Sequence, residues 1–308
     1  MGAPILSLRS RWWPPVSSAA RVGLWFAVAL LLLLIGPARA DEPLSVRWEP
    51  RELRPGDVAV LFVRTRPEMK LVDGRLGGQA LSLFPHGDGF AALAGVDVEA
   101  KPGKLPWRID VVDGRGAPIR VSGALRVKAR KFPVQRLTLP KEMVDLDAPT
   151  LSRVEEEAKR LRAVYATVTP ERLWRGRFVK PIETADPGEG FGSRRIINGQ
   201  PRAPHTGVDY AADPGAPVLA ANSGRVALVA EYFFPGRLVI LDHGFGLFTL
   251  YFHLERVDVR EGEPIERGQP IGAVGASGRA TGPHLHFGAH LRQARIDPSL
   301  LLSLPFPD

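Results

Sequence analysis

Thr281-Gly-Pro-His-Leu-His-Phe287 lies near the end of a 308-residue chain and carries two histidines two positions apart. In a strand such residues project from one face, so His284 and His286 point into one space. Upstream, His205-Thr-Gly-Val-Asp209 sets an imidazole and a carboxylate four apart, which share a face in a strand or a helix. His253 falls between them in Leu250-Tyr-Phe-His-Leu254, and six of the seven histidines occur after residue 176. Two neutral imidazoles with one carboxylate are a zinc set that leaves a fourth position for water. A divalent ion with one carboxylate keeps a charge of +1, which favours ionising that water. The remaining imidazoles suit proton transfer near neutral pH. The chain has no cysteine, so disulfides, thiolate metal sites and cysteine nucleophiles are excluded and any metal falls to His, Asp and Glu.

Around these elements the chain reads as strands and turns. From about residue 177 onward, Val218-Leu-Ala-Ala221, Gly224 to Ala230, Leu238-Val-Ile-Leu241 and Leu247 to Phe252 are apolar runs separated by glycine-rich turns. This part is near neutral, with 13 basic and 14 acidic residues after residue 175. Leu44 to about Lys131 repeats the pattern with Val58-Ala-Val-Leu-Phe-Val63, Leu81-Ser-Leu-Phe84, Arg108-Ile-Asp-Val-Val112 and Leu125-Arg-Val-Lys-Ala129. Pro55-Gly56, Asp73-Gly74, Gly77-Gly78, Asp88-Gly89 and Asp113-Gly114 mark its turns, a spacing expected of an immunoglobulin-like β-sandwich. Between the two, Thr150 to Tyr165 is helical by period, with Leu151, Val154, Ala158, Leu161, Val164 and Tyr165 on one stripe. Thr150 or Ser152 is the expected cap, and Glu155–Lys159 the expected i, i+4 pair.

Residues 1–40 read as a signal peptide. Arg9, Arg11 and Arg21 precede a 12-residue apolar run, Leu24 to Ile35, and Ala38 and Ala40 stand before a cut at Asp41. A bilayer span needs about 20 apolar residues, so membrane attachment is expected only if this segment is retained. The segment holds four arginines and no acid, and its removal takes the net charge from +8 to +4. Such a charge suits solubility and does not make a nucleic-acid footprint.

The ordered set His205-x-x-x-Asp209, His253 and Gly278-Arg-Ala-Thr-Gly-Pro-His-Leu-His-Phe287 resembles the signature of the lysostaphin-like (LytM-type) zinc metallopeptidases. Phe191-Gly-Ser-Arg-Arg195, Asp213-Pro-Gly-Ala-Pro-Val218, Asp242-His-Gly244 and Gly268-Gln-Pro-Ile-Gly272 extend the resemblance over roughly residues 177–300. It implies that His205, Asp209 and His286 bind one zinc ion (Zn2+) per chain, with His253 and His284 as the catalytic histidines that are not ligands. It further implies an endopeptidase that hydrolyses peptide bonds of bacterial peptidoglycan, in cross-links or stem peptides, with peptidoglycan peptides as its partners. The alternative, known among relatives that have lost ligands, is a non-catalytic regulator that binds and activates a cell-wall amidase. None of the five positions is substituted here.

The expected fold class is therefore mainly β: an N-terminal immunoglobulin-like β-sandwich (41–135), a helical linker (136–176) and a C-terminal antiparallel β-sheet metallopeptidase domain (177–308). The upstream parts are candidate intramolecular regulators, and a protein regulator is a further candidate. Export to the periplasm, cell envelope or medium is expected. His243 reads as a turn or edge residue and His290 as a weak candidate for the site, while Tyr251 is expected to share a face with His253. Arg194 and Arg195 read as a solvated turn able to meet an anionic peptide, and His86 as a surface turn residue.

Overall fold

The computed structural model describes residues 44–183 and 189–306. The expected signal segment lies outside these residues. Among the described residues no helix is long and apolar enough to cross a membrane.

The fold is mainly β. In the C-terminal part, alternating apolar residues build a nine-stranded sheet whose central path runs Gly207–Tyr210, Leu285–Leu291, Leu247–Val257, Gly236–Asp242, Gly224–Tyr232 and Pro264–Ile265. Antiparallel register sets Asp209 opposite His286, and His286 opposite Phe252. Period-two alternation then sorts the side chains. Val208, Tyr210, Leu285, Phe287, Leu247 and Tyr251 enter the large core on one face, leaving Asp209 and His286 on the other. Apolar burial of this kind is worth about 25 cal/mol per Å² removed from water, and here it fixes the strands that carry the polar residues.

The N-terminal part is a two-sheet sandwich. One sheet orders Leu44–Glu49, Val58–Thr65, Gly89–Gly95 and Phe84–His86, and the other Glu52–Leu53, Pro118–Val127, Gly103–Val112, Lys70–Leu76 and Gln79–Ala80. Leu61, Ala92, Ile109 and Val111 from the two sheets share a core. Two local expectations differ. Asp73-Gly74 is not a turn but lies inside the strand Lys70–Leu76, beside a register shift between Leu71 and Asp73. A Cβ at Gly74 would stand 2.8 Å from Leu83 Cδ1, so a larger residue there would require the leucine side chain to shift. Leu81 to Leu83 forms no strand, and the strand begins at Phe84. His86 is no lone turn residue, for its ring packs against Phe62 and Phe306.

The helix spans Ala148–Ala166. Its cap is Asp147, not Thr150 or Ser152: the Asp147 carboxylate accepts the Thr150 N–H at 3.0 Å, with Pro149 in the first turn. The expected Glu155–Lys159 pair is replaced by Arg153–Glu157 at 2.6 Å. Glu157 also accepts the Phe233 N–H and Arg153 reaches the Glu231 carbonyl, so this pair is chosen by docking. Leu161, Val164 and Tyr165 pack on the sheet, whereas Leu151 is 47% exposed.

The sandwich and the C-terminal sheet share a core. Phe84 of the sandwich, Trp174 and Phe306 pack with ring centroids 5.5–6.5 Å apart, and Phe245 joins them. Arg295 grips Asp97 through two hydrogen bonds of 2.6 and 2.8 Å, and Asp297 N–H donates to the Gly56 carbonyl. Strand Val134–Leu137, which straddles the expected boundary at 135/136, pairs in parallel with Arg194–Ile197. Leu44 to Asp308 thus forms one compact unit. Urea unfolding of this unit is expected to show a single transition, with Trp174→Ala lowering stability by about 3–5 kcal/mol. Fluorescence and far-UV circular dichroism curves that separate into two steps would contradict it.

Candidate metal centre

His205 sits just before the strand Gly207–Tyr210 and is 2% exposed. Its backbone is clamped by the turn at 190–193: His205 N–H donates to the Ser193 carbonyl at 2.9 Å, and Gly192 N–H donates to the His205 carbonyl at 2.7 Å. Gly190 and Gly192 hold positive φ angles of 97° and 77°, which favour glycine. His205 Nδ1 lies 3.0 Å from the Gly190 carbonyl. A carbonyl only accepts, so the neutral ring keeps its proton on Nδ1 and turns the Nε2 lone pair inward.

Three atoms converge there. His205 Nε2 is 3.0 Å from Asp209 Oδ1, His286 Nδ1 is 2.9 Å from the same oxygen, and the two nitrogens are 2.8 Å apart. Three lone pairs so close repel unless a proton or a cation sits among them. Separations near 3 Å leave room for one ion at about 2.0–2.2 Å from each donor, the range of zinc with His and carboxylate ligands. The donor set therefore fits zinc. In the metal-free molecule burial alone would raise the Asp209 carboxyl, but the His205 and His286 imidazoles against it outweigh burial and hold the group well below the usual carboxylate range. Burial pushes His286 down to about 4, against the pull of Asp209.

His286 is packed from both sides. Phe252 stacks on its ring at 5.3 Å and 15°, and Gly207 faces it across the strand pair. A Cβ at Gly207 would stand 2.4 Å from the Phe287 carbonyl and 2.6 Å from His286 Nε2, so no other residue fits without moving the ring.

His253 arrives by an irregular route. Between Tyr251 and Leu254 the strand carries two residues against one on the partner strand, a β-bulge, and His253 takes φ = 65°. Bulges re-aim side chains, and a non-glycine residue in the left-handed region marks a site where the surroundings over-determine the backbone. Its Nδ1–H donates to the Ser277 carbonyl at 2.9 Å, leaving Nε2 as an acceptor. His284 repeats the device, with Nδ1–H donating to the Gly282 carbonyl at 2.8 Å and Nε2 lying 3.9 Å from Asp209 Oδ1. The two rings are 4.7 Å apart, and His253 is 6.1 Å from His286. Burial, helped by the charge of a protonated His286, pushes His253 down to about 3, so it is neutral at physiological pH.

All five predicted site residues thus meet in one place, and the neighbouring candidates do not. The bulge breaks the parity expected for Tyr251, which enters the core, where its hydroxyl accepts the Ala221 N–H at 2.8 Å. His290 stacks on Tyr165 of the helix at 4.0 Å. His243 stands in the turn after the strand Gly236–Asp242, as expected, but is fully buried there. Its Nδ1–H donates to the Ser223 carbonyl at 2.8 Å, and its Nε2 accepts from the Thr249 hydroxyl at 2.7 Å, 3.0 Å from the Tyr251 hydroxyl. Arg195 is not a solvated turn, for it lies half-buried with Nη2 3.7 Å from Asp209 Oδ2. The sequence reading gave no role to Arg202 or Arg279, although Arg279 stands inside the Gly278–Phe287 run.

A mainly antiparallel β-sheet that presents two imidazoles and a carboxylate to one point, beside two further histidines, defines the class of β-sheet metal-site domains. Residues 203–298 form a Peptidase family M23 domain, matching that family's sequence profile. The peptidoglycan DD-endopeptidase ShyB of Vibrio cholerae is 39% identical over 94 residues, covering 30% of this chain and 22% of that protein. The DD-carboxypeptidase/endopeptidase Mpg of Neisseria meningitidis is 39% identical over 104 residues, covering 34% and 24%. Matches to the three Vibrio relatives span only 20–25% of those proteins' lengths. The crystal structure of a Pseudomonas aeruginosa protein assigned to peptidase M23 is 28% identical and superposes with a TM-score of 0.61, over 82% of this chain and 95% of that one. That match is too long to be confined to residues 203–298 and takes in part of the chain upstream of them.

Gly207→Ala is expected to weaken zinc binding at least about tenfold by displacing His286, as read by competition with a chromogenic chelator. The buried His243 gives a pH signature. Burial pushes its pKa from the unfolded value near 6.5 down to about 4, so the unfolded chain binds the extra proton between those limits. Its contribution is whole above pH 6.5 and is lost as pH falls towards 4. In His243→Asn the slope of stability against pH in that window should be shallower by up to about 1.4 kcal/mol per pH unit, as measured by urea midpoints of the zinc-free protein.

Proposed function

We propose that this protein is a zinc-dependent endopeptidase that hydrolyses peptide bonds in bacterial peptidoglycan, in cross-links or stem peptides. The observation that carries the reading is the convergence of His205, Asp209 and His286 on one point, flanked by two imidazoles whose Nε2 atoms are free to accept. The names of the relatives that match the same segment, peptidoglycan endopeptidases among them, support the substrate class.

His205, Asp209 and His286 would hold the zinc, which supplies Lewis-acid polarisation of a carbonyl and a lowered pKa for water. One of His253 and His284, each with Nδ1 tied to a backbone carbonyl, accepts the proton of the attacking water at Nε2. The protonated ring then lies beside the oxygen on which negative charge develops, and afterwards returns the proton to the departing amine. The carbonyl carbon gains the water oxygen, the C–N bond breaks, and the amine leaves neutral.

The arginines and the apolar run of residues 1–40 support export, so the proposed place of action is the periplasm, cell envelope or medium. The division into a sandwich with immunoglobulin-like kinship (41–135), a linker (136–176) and a peptidase domain (177–308), with the upstream parts as regulators, belongs to the same proposal.

Purified residues 41–308 are expected to carry about one zinc per chain and to release peptides from purified peptidoglycan. His286→Ala should lose both metal and turnover. His253→Ala and His284→Ala should keep the metal and lose turnover by about 10²–10⁴-fold. Zinc without turnover in the wild type would point to autoinhibition or a missing partner, and neither zinc nor turnover would favour the amidase-regulator alternative.

A further inference from the structure

Three guanidinium groups lie near one another, and one of them, Arg195, stands at the metal centre. Arg195 Nη2 lies 3.7 Å from Asp209 Oδ2, and its buried Nε has no hydrogen-bond partner among the described residues. Arg202 Nη2 donates to the Val144 carbonyl at 3.2 Å and to Gln200 Oε1 at 2.6 Å. Arg279 lies over the Phe234 ring at 4.0 Å and reaches the Met143 carbonyl at 3.5 Å. Asp209 apart, these partners are neutral oxygens, and the neighbouring Asp145 accepts from Gln200. Burial and the like charges of Arg195 and Arg202 push Arg279 down to about 10, although Glu142, Asp145, Asp147 and Glu231 line the cavity on its other side.

A bound divalent ion would sharpen the imbalance, because it would draw on the Asp209 charge that Arg195 faces. From Arg195 and Arg202 a groove of about 700 Å³ runs between the sandwich and the sheet, with Lys101 and Arg194 on its walls and Phe132 and Pro204 along it. The acid on its wall, Glu99, is paired with Arg295 at 2.7 Å. Guanidinium forks match carboxylates in two-point hydrogen bonding, and a partly desolvated setting strengthens that pairing.

We propose that Arg195, Arg202 and Arg279 form a carboxylate-binding subsite that seats an acidic group of the substrate peptide beside the scissile bond and selects acidic peptides over uncharged glycine bridges. The proposal rests on the endopeptidase reading for the identity of the substrate, and deepens it by naming the residues that choose among peptides.

The test uses a muropeptide dimer released from peptidoglycan, fluorescently labelled, as the free acid and after amidation of all its carboxyls. Both are titrated by anisotropy into the zinc-loaded chain in a His284→Ala background, which leaves the peptide uncut. The free acid is expected to bind at least about tenfold tighter, equivalent to about 1.4 kcal/mol. Arg202→Gln and Arg279→Gln, with zinc content checked, should each remove most of that preference while leaving binding of the amide unchanged. Equal binding of acid and amide would overturn the proposal. So would variants that weaken both ligands alike, since that marks a structural effect. Because the readout is binding, it decides the subsite even if the wild type cuts neither dimer, a result that would count against the endopeptidase reading alone.

Discussion

Three lone-pair atoms, His205 Nε2, Asp209 Oδ1 and His286 Nδ1, are held within 3.0 Å of one another, although lone pairs so placed repel unless a proton or a cation lies among them. That arrangement persists only where the surrounding chain is stiffer than the repulsion. Stiffness comes from the register that sets Asp209 against His286 and from Tyr251 and Phe287 packed behind the strands. The turn at 190–193 completes it by clamping the His205 backbone on both sides. The apolar face of the sheet and the polar face are thus one device: the first stabilises the strands, and the second uses their rigidity.

The same sheet departs from regularity where chemistry needs it. A strand without a bulge would send His253 into the core alongside Tyr251, because residues two apart share a face. The extra residue and the positive φ at His253 reverse that outcome, and the carbonyls of Ser277 and Gly282 set the tautomers of His253 and His284. Two rings with a common proton arrangement can then act on one substrate from adjacent positions, 4.7 Å apart.

The sandwich is bound into the same structure. Phe84, Trp174, Phe245 and Phe306 join the upstream sandwich, the linker and the C-terminal sheet, and Arg295 adds a two-point grip on Asp97. The pairing of Val134–Leu137 with Arg194–Ile197 carries this connection to the strand that bears Arg195. Through that strand the upstream part helps place a charged residue beside Asp209.

From sequence alone the mainly β class and the helix were legible, because strand and helix periodicity are local properties, while the resemblance of His205-x-x-x-Asp209, His253 and His284-x-His286 to a known signature named the five residues that the structure brings together. Local reading failed where distant residues decide. The helix cap moved to Asp147 because Pro149 already fits the first turn, and Glu157 took the ion pair because Phe233 offers it a second hydrogen bond. Asp73-Gly74 entered a strand because Leu83 packs over it, and His243 became a core residue because Thr249 and Ser223 satisfy both its nitrogens. The gathering of Arg195, Arg202 and Arg279 was invisible for the same reason: they sit on separate elements and meet only when the sheet closes. Spacing determines which side chains share a face of one element, whereas only tertiary packing decides which faces meet, how far each group is desolvated and which charges are left without partners.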